Sequence, residues 1–121
     1  MAVQQELLVH ATEEMQHATT LADQVVFLGG RPTTKVAPIK VSDDSEEMLT
    51  QDWEGEKEAV ARYKAQIGCA MEIGEFGLAR ILQDILVMEE EHIRDLSSAL
   101  GLSAQPIALS KSAASGVSVV R

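Results

Sequence analysis

The sequence is poor in basic residues, in aromatic residues and in cysteine, and each shortage narrows what the protein can be. It has 10 Lys and Arg against 19 Asp and Glu, for a formal net charge of −9. Direct binding to DNA or RNA is therefore disfavoured, because the affinity of proteins for nucleic acids comes mostly from contacts between cationic side chains and phosphates. The negative charge instead favours solubility and attracts cations. Aromatics make up only 3% of the chain, so a core must be built from aliphatic side chains.

Signals for secretion and for membrane insertion are also missing. The single cysteine, Cys69, cannot form an internal disulfide, which favours a reducing compartment. We expect it to be a small buried residue and not a nucleophile. No apolar run approaches the roughly 18 residues of a transmembrane helix, and the N-terminal region lacks a basic-then-apolar signal pattern. These absences predict a cytoplasmic protein with no membrane partner.

Few prolines and few β-branched runs favour helices, and the chain divides into three long ones. The first is predicted over residues 4–28 and ends at a pair of glycines. The second begins at the Asp-Asp-Ser start signal of residues 43–45 and runs to 72, and the third covers 76–100. Residues 31–42 hold two of the three prolines and are predicted to be a crossover loop. This indicates one helical domain over 1–101, followed by a flexible tail or assembly contact over 102–121.

Each predicted helix carries an apolar stripe that is interrupted near its middle by a carboxylate. The stripes are Leu7, Ala11, Glu14, Ala18, Leu21, Val25 and Leu28 in the first helix, Leu49, Trp53, Glu56, Val60, Tyr63, Ile67 and Ala70 in the second, and Leu78, Leu82, Ile85, Glu89, His92, Leu96 and Ala99 in the third. A carboxylate that is buried alone is costly. Three such carboxylates in register therefore predict that they converge on a cation.

Two of these carboxylates are followed by a histidine one helical turn later. His17 lies three residues after Glu14, and His92 lies three residues after Glu89. Side chains at i and i+3 share a helix face, so each pair can hold one metal ion. Oxygen and imidazole ligands together suit iron, manganese or zinc better than calcium or copper. The neighbouring acids are expected to lie on the surface: Glu13, Glu90 and Glu91.

Four stretches of the sequence carry a family resemblance: Glu13 to Ala18, Phe27 to Pro32, Glu46 to Leu49, and Glu89 to Ile93. In order and spacing they resemble the ferritin-like superfamily, and most closely its bacterioferritin branch, over about residues 7–100. The resemblance implies an all-α, ferritin-like helical bundle with one crossover loop. The family's first helix has no counterpart here, so we expect three long helices and a four-helix bundle that is incomplete within the chain.

The resemblance also implies a di-iron site and a reaction. Glu14 and His17 would serve one metal, and Glu89 and His92 the other, while the two bridging carboxylates would be Glu14 and either Glu89 or Glu56. The implied function is oxidation of Fe(II) by oxygen or peroxide, followed by iron storage in a shell assembled from dimers. The predicted ligands are Glu14, His17, Glu56, Glu89 and His92.

One expected ligand, a glutamate on the family's first helix, is absent from this sequence. Glu6 cannot replace it, because it lies on the same helix as Glu14 and ~12 Å away. The chain could be a fragment or a mis-started reading frame, could be completed by another subunit, or could be a degenerate relative that binds one metal weakly. Ferroxidase-like activity is expected if another subunit supplies the ligand. The alternative is a truncated, non-catalytic helical module that dimerises or binds a partner through an exposed apolar groove.

Four further residues have competing interpretations. Met15 stands where bacterioferritins place the methionine that binds haem between two subunits, but methionine also fills packing gaps, and we favour packing over haem. His10 is expected on the helix surface or in support of a ligand. Tyr63 and Trp53 are expected to be core residues whose polar atoms find hydrogen-bond partners.

Overall fold

The computed structural model describes residues 2–102, which form three helices. Helix α1 covers Ala2–Phe27, α2 covers Ser45–Glu72 and α3 covers Phe76–Ala99. These bounds confirm the all-α fold class and agree with the sequence prediction to within two residues. None of the three has the length of continuous apolar sequence that crossing a membrane requires. The predicted C-terminal tail lies outside the described residues, apart from Leu102.

The start of α2 and the turn into α3 follow from local chemistry. The side chain of Asp44 accepts a hydrogen bond of 2.8 Å from the backbone N–H of Glu47, which caps the first turn of α2. Beyond the last residue of α2, Glu72, the chain turns at Gly74, whose φ of 82° lies in the left-handed region. The N–H of Glu75 then donates to the carbonyl of Ala70 at 2.9 Å, as in a Schellman motif. This tight turn makes α2 and α3 an antiparallel hairpin.

The apolar core lies mainly between α2 and α3. Ala70, Ala79 and Leu82 form its buried centre. The small side chains of the two alanines let the helices approach closely at the turn end of the hairpin. Packed against this centre are further partly buried side chains: Leu21, Tyr63, Ile67 and Leu78. The predicted stripes of α2 and α3 are therefore confirmed as the faces along which these helices pack.

Helix α1 packs along α3, and within residues 2–102 it does not pack on α2. Its buried side chains are His10 and His17, with Glu13 half-buried between them. Much of the apolar stripe of this helix is left unburied, in keeping with the expected open groove. Five of its members are exposed: Ala11, Glu14, Ala18, Val25 and Leu28. The reason is that α1 has one packed neighbour instead of two, so the middle of this stripe borders open space.

That space is a groove of about 550 Å³ between α1 and α2, with α3 as its floor. The sequence predicted an apolar groove, and Leu7 does line it, but the lining is mixed. Four carboxylates and one guanidinium also face it, from Glu14, Asp52, Glu56, Glu89 and Arg62. The groove therefore leads from solvent to a group of acidic side chains.

Candidate metal centre

Carboxylates from all three helices meet a histidine at the floor of the groove. Glu14 from α1, Glu56 from α2, and Glu89 and His92 from α3 each offer one ligand atom, and these atoms lie within 4.8 Å of one another. Nδ1 of His92 is 3.2 Å from Oε1 of Glu14, 3.3 Å from Oε1 of Glu56 and 3.8 Å from Oε2 of Glu89. Two donors at about 2.1 Å from one ion are roughly 3.0–3.4 Å apart at right or tetrahedral angles. The four residues therefore fit a single metal ion.

The fifth predicted ligand, His17, joins this group through Glu89. Its Nδ1 is 2.8 Å from Oε1 of Glu89 and 3.7 Å from Oε1 of Glu14. Glu89 thus lies between two imidazoles, with Oε1 toward His17 and Oε2 toward His92. The structure brings all five predicted ligands together, with His17 adjoining the other four through Glu89.

The centre of this group is buried and short of hydrogen-bond partners. Glu89 and His92 are each 1% exposed, and His17 is 5% exposed. Among the described residues, neither oxygen of Glu89 nor Nδ1 of His17 has a hydrogen-bond partner, because their 2.8 Å approach is poorly aligned for one. A buried carboxylate without donors is energetically costly. A cation would satisfy all three atoms at once, so these residues fit a metal.

Electrostatics at the centre favour the uptake of positive charge. Burial and the nearby carboxylates of Glu56 and Glu14 raise the pKa of Glu89 to about 9. Burial by itself lowers the pKa of His92. Hydrogen bonds to the carboxylates of Glu14, Glu56 and Glu13 outweigh this effect and raise the pKa to about 11. The metal-free centre therefore holds protons on both groups near neutral pH, and a metal ion must displace them to bind.

The outer nitrogens of the two imidazoles have different partners. Nε2 of His92 donates a hydrogen bond of 2.6 Å to Oε2 of Glu13, so the prediction that Glu13 lies on the surface is wrong. Nε2 of His17 instead donates to the sulfur of Met88 at 3.3 Å. Neither partner was predicted from the sequence. Glu13 was detectable, because it falls between His10 and His17 at helical spacing on one face of α1.

His10 supports the centre without belonging to it. It is 7% exposed, and its ring stacks on that of His92 with 4.0 Å between centroids. Its Nε2 donates a hydrogen bond of 3.0 Å to Oδ2 of Asp95. Of the two expected locations, His10 therefore lies beside a predicted ligand and not on the helix surface. No pattern in the sequence indicated that Asp95 would contact His10.

Comparison of the chain with known protein families shows which family it belongs to. The model of the ferritin-like domain matches residues 2–104. The chain belongs to the ferritin-like family. It is similar to the bacterioferritin of Brucella melitensis biotype 1, with 32% identity over 94 residues that cover 77% of this chain and 58% of the relative. It is also similar to the bacterioferritin of Rhodobacter capsulatus, with 29% identity over 91 residues, 74% of this chain and 56% of the relative.

A third relative of the ferritin-like chain is the bacterioferritin of Mycobacterium leprae, which is 31% identical over 98 residues, 80% of this chain and 62% of the relative. These similarities confirm the predicted resemblance to the bacterioferritin branch. The chain spans somewhat more than half the length of the curated relatives it matches.

Other singled-out residues of this ferritin-like chain have mixed outcomes. Tyr63 is half-buried against the core, where burial and then the carboxylate of Glu89 raise its pKa to about 12. Trp53 is also half-buried, and its Nε1 donates to Oγ of Ser97 at 2.9 Å, as expected of a core tryptophan. The prediction of a buried Cys69 is wrong, because that residue is exposed.

Met15 lies on the outer side of α1 and is 69% exposed. Met15 therefore does not pack against the described residues of its own chain, and the preference for packing over haem stays a prediction. Haem binding at Met15 is a separate hypothesis and stays a prediction.

Proposed function

We propose that this chain binds Fe(II) at Glu14, His17, Glu56, Glu89 and His92, hereafter the carboxylate–histidine centre, and that it supports iron oxidation and storage. The observation that carries the proposal is Glu89, a buried carboxylate between two histidines that lacks hydrogen-bond donors within the described residues. The relatives named bacterioferritin support the same function. Iron is the substrate of this reaction, and oxygen or peroxide is the oxidant.

The geometry supports a bridging role for Glu89 and Glu14. Each of these carboxylates lies within 3.8 Å of both imidazole Nδ1 atoms. Glu56 lies 3.3 Å from Nδ1 of His92 and would bind only the ion on that side. We infer a di-iron centre in which Glu89 and Glu14 span both ions, and Glu56 and His92 complete the first.

The two positions differ in charge. The ion beside His92 has a carboxylate of its own in addition to the two bridging ones, whereas the ion beside His17 has only the bridges. Three carboxylates also leave one positive charge uncompensated when two Fe(II) ions are bound. The position beside His92 should therefore fill first, and the position beside His17 should bind more weakly until another subunit supplies a further ligand.

Anaerobic titration of the full chain with Fe(II), followed by air and near-ultraviolet absorbance, tests this function. We expect up to two Fe(II) per chain, with the second bound more weakly, and a ferric absorbance band after oxygenation. Glu89→Gln should abolish the band. Glu91→Gln is the matched control, because Glu91 is an exposed acid two residues away on the same helix. A chain that takes up no Fe(II), or a Glu89→Gln variant that behaves like Glu91→Gln, would contradict the proposal.

The alternative function, a non-catalytic module that binds a partner or a second copy, is favoured by the open groove. Apolar side chains also remain exposed on α1, with Leu8 at 63%, Val26 at 60% and Phe27 at 80%. Exposed apolar surface of this kind is often covered by assembly. Anaerobic Fe(II) uptake separates the two functions, whereas light scattering coupled to size exclusion tests the assembly that both share. A homodimer or larger oligomer is expected in both, but only the iron-binding function requires that Fe(II) be taken up.

A further inference from the structure

A second group of potential ligands lies one helical turn from the carboxylate–histidine centre. Glu6 and His10 from α1 and Asp95 from α3 each offer a ligand atom, and these three atoms lie within 4.8 Å of one another. The bundle places them next to the centre because His10 precedes Glu14 by one turn on α1, and Asp95 follows His92 on α3. None of the three belongs to the di-iron ligand set of the proposed function.

We propose that Glu6, His10 and Asp95 form a second metal site that takes one divalent transition-metal ion. Nε2 of His10 and Oδ2 of Asp95 are 3.0 Å apart, which is the separation of two adjacent ligands on one ion. The ion would take the place of the hydrogen bond between His10 and Asp95, with the ring proton of a neutral His10 moving to Nδ1 so that Nε2 can bind the ion. Two carboxylates and a neutral imidazole balance a charge of +2. This donor set suits Fe(II), Mn(II), Co(II) or Zn(II).

The histidine of this group is held in place without an ion. His10 is fixed there by burial and by its stacking on His92, so its nitrogen is pre-positioned. Glu6 is exposed and Asp95 is partly exposed, which leaves the site open to solvent. His10 also lines the groove above the carboxylate–histidine centre, so an ion held here stands beside the larger site.

The site is tested by counting Co(II) ions bound to the full chain and to two variants, Asp95→Asn and Glu6→Gln. Neither residue is one of the five ligands of the carboxylate–histidine centre, so that centre should keep its ions. We expect each variant to bind one Co(II) fewer per chain than the unchanged protein. Glu91→Gln is the control and should bind the full number. If both variants bind the same number with the same affinity as the control, the proposal is overturned.

Two further measurements separate this site from the proposed function. Glu89→Gln should lose Co(II) from the carboxylate–histidine centre but keep the ion at His10, so the second site can be judged even if the ferroxidase function fails. Anomalous diffraction at the cobalt edge should place an ion among Glu6, His10 and Asp95. Density confined to the larger centre would overturn the proposal and leave His10 and Asp95 as an ion pair only. Because Glu6 is exposed, Glu6→Gln keeps the test valid if Asp95→Asn fails to fold.

Discussion

Glu13 accepts a hydrogen bond of 2.6 Å from Nε2 of His92, while Nδ1 of the same ring faces the carboxylates of the metal centre. A carboxylate on the outer nitrogen fixes the orientation of an imidazole ligand and increases its basicity. His17 has only the thioether of Met88 in the corresponding position. The two histidines of this centre are therefore unequal ligands, and His92 is the stronger one.

Replacing Glu13 should weaken metal binding without removing a ligand. Glu13→Gln keeps the shape of the side chain but loses the charge that supports His92, so we expect metal affinity to fall by about 10–100-fold. Isothermal titration with Co(II) or anaerobic Fe(II) measures the effect. Asp23→Asn, an exposed acid on the same helix, should leave affinity unchanged. Equal affinities of the two variants would show that Glu13 has no role in the centre.

The metal-free protein should be stabilised by Glu89→Gln, although the same change removes metal binding. At neutral pH Glu89 is ionised in the unfolded chain, where its pKa is an ordinary 4.5, but protonated in the folded chain, where its pKa is about 9. Folding must therefore take up a proton, and this uptake costs free energy. A neutral glutamine of similar shape avoids this cost, and we expect a gain on the order of 2 kcal/mol in the free energy of unfolding. Urea unfolding at pH 7 with chelator measures it. Destabilisation by this variant would argue against a protonated Glu89.

Stability of the metal-free protein should fall as pH rises above 5. The pKa of Glu89 rises from an ordinary 4.5 to about 9 on folding, so between these values the folded chain binds more protons than the unfolded chain. His92, raised from 6.5 to about 11, contributes stability that is complete below 6.5 and is lost as pH rises through 11. Thermal unfolding between pH 5 and 9 checks the slope, which Glu89→Gln should reduce. A stability that rises across this range would contradict both assignments.

Gly74 and Gly68 should respond in opposite directions to alanine. Gly74 has φ of 82°, so Gly74→Ala forces a side chain into the left-handed region and should cost about 1–2 kcal/mol. Gly68 lies within α2 with open space around the position of an added Cβ, so Gly68→Ala should gain about 0.5–1 kcal/mol. Chemical unfolding of the two variants checks this pair. The hairpin turn is wrongly assigned if Gly74→Ala is neutral.

The sequence was most informative where local signals and packing agree. The ends of the helices were predictable because Gly29, Gly74 and Gly101 each stop a helix with a positive φ. The faces of α2 and α3 were predictable because these two helices pack on each other, and their apolar stripes are what they bury. The five centre ligands followed from carboxylates within stripes and from the family resemblance.

The rest depended on which neighbours each helix has, and this is a tertiary property. The apolar stripe of α1 did not show which face of this helix packs, because α1 packs along α3 through His10, Glu13 and His17. Glu13 was assigned to the surface because its sequence surroundings are acidic. Asp95 and Met88 contact the histidines of α1 across a helix interface, and no local pattern shows such a pairing.

The metal centre lies at the floor of the open groove between α1 and α2, and this trough is accessible to solvent. A helix laid in that trough would cover Glu14, now one of the more exposed ligands, and would expel water from around the bound ions. Because charge–charge attraction strengthens as water is removed, each carboxylate would then hold its ion more tightly. By linkage, an iron bound at the proposed centre would favour the covered form to the same extent, so its uptake would promote assembly.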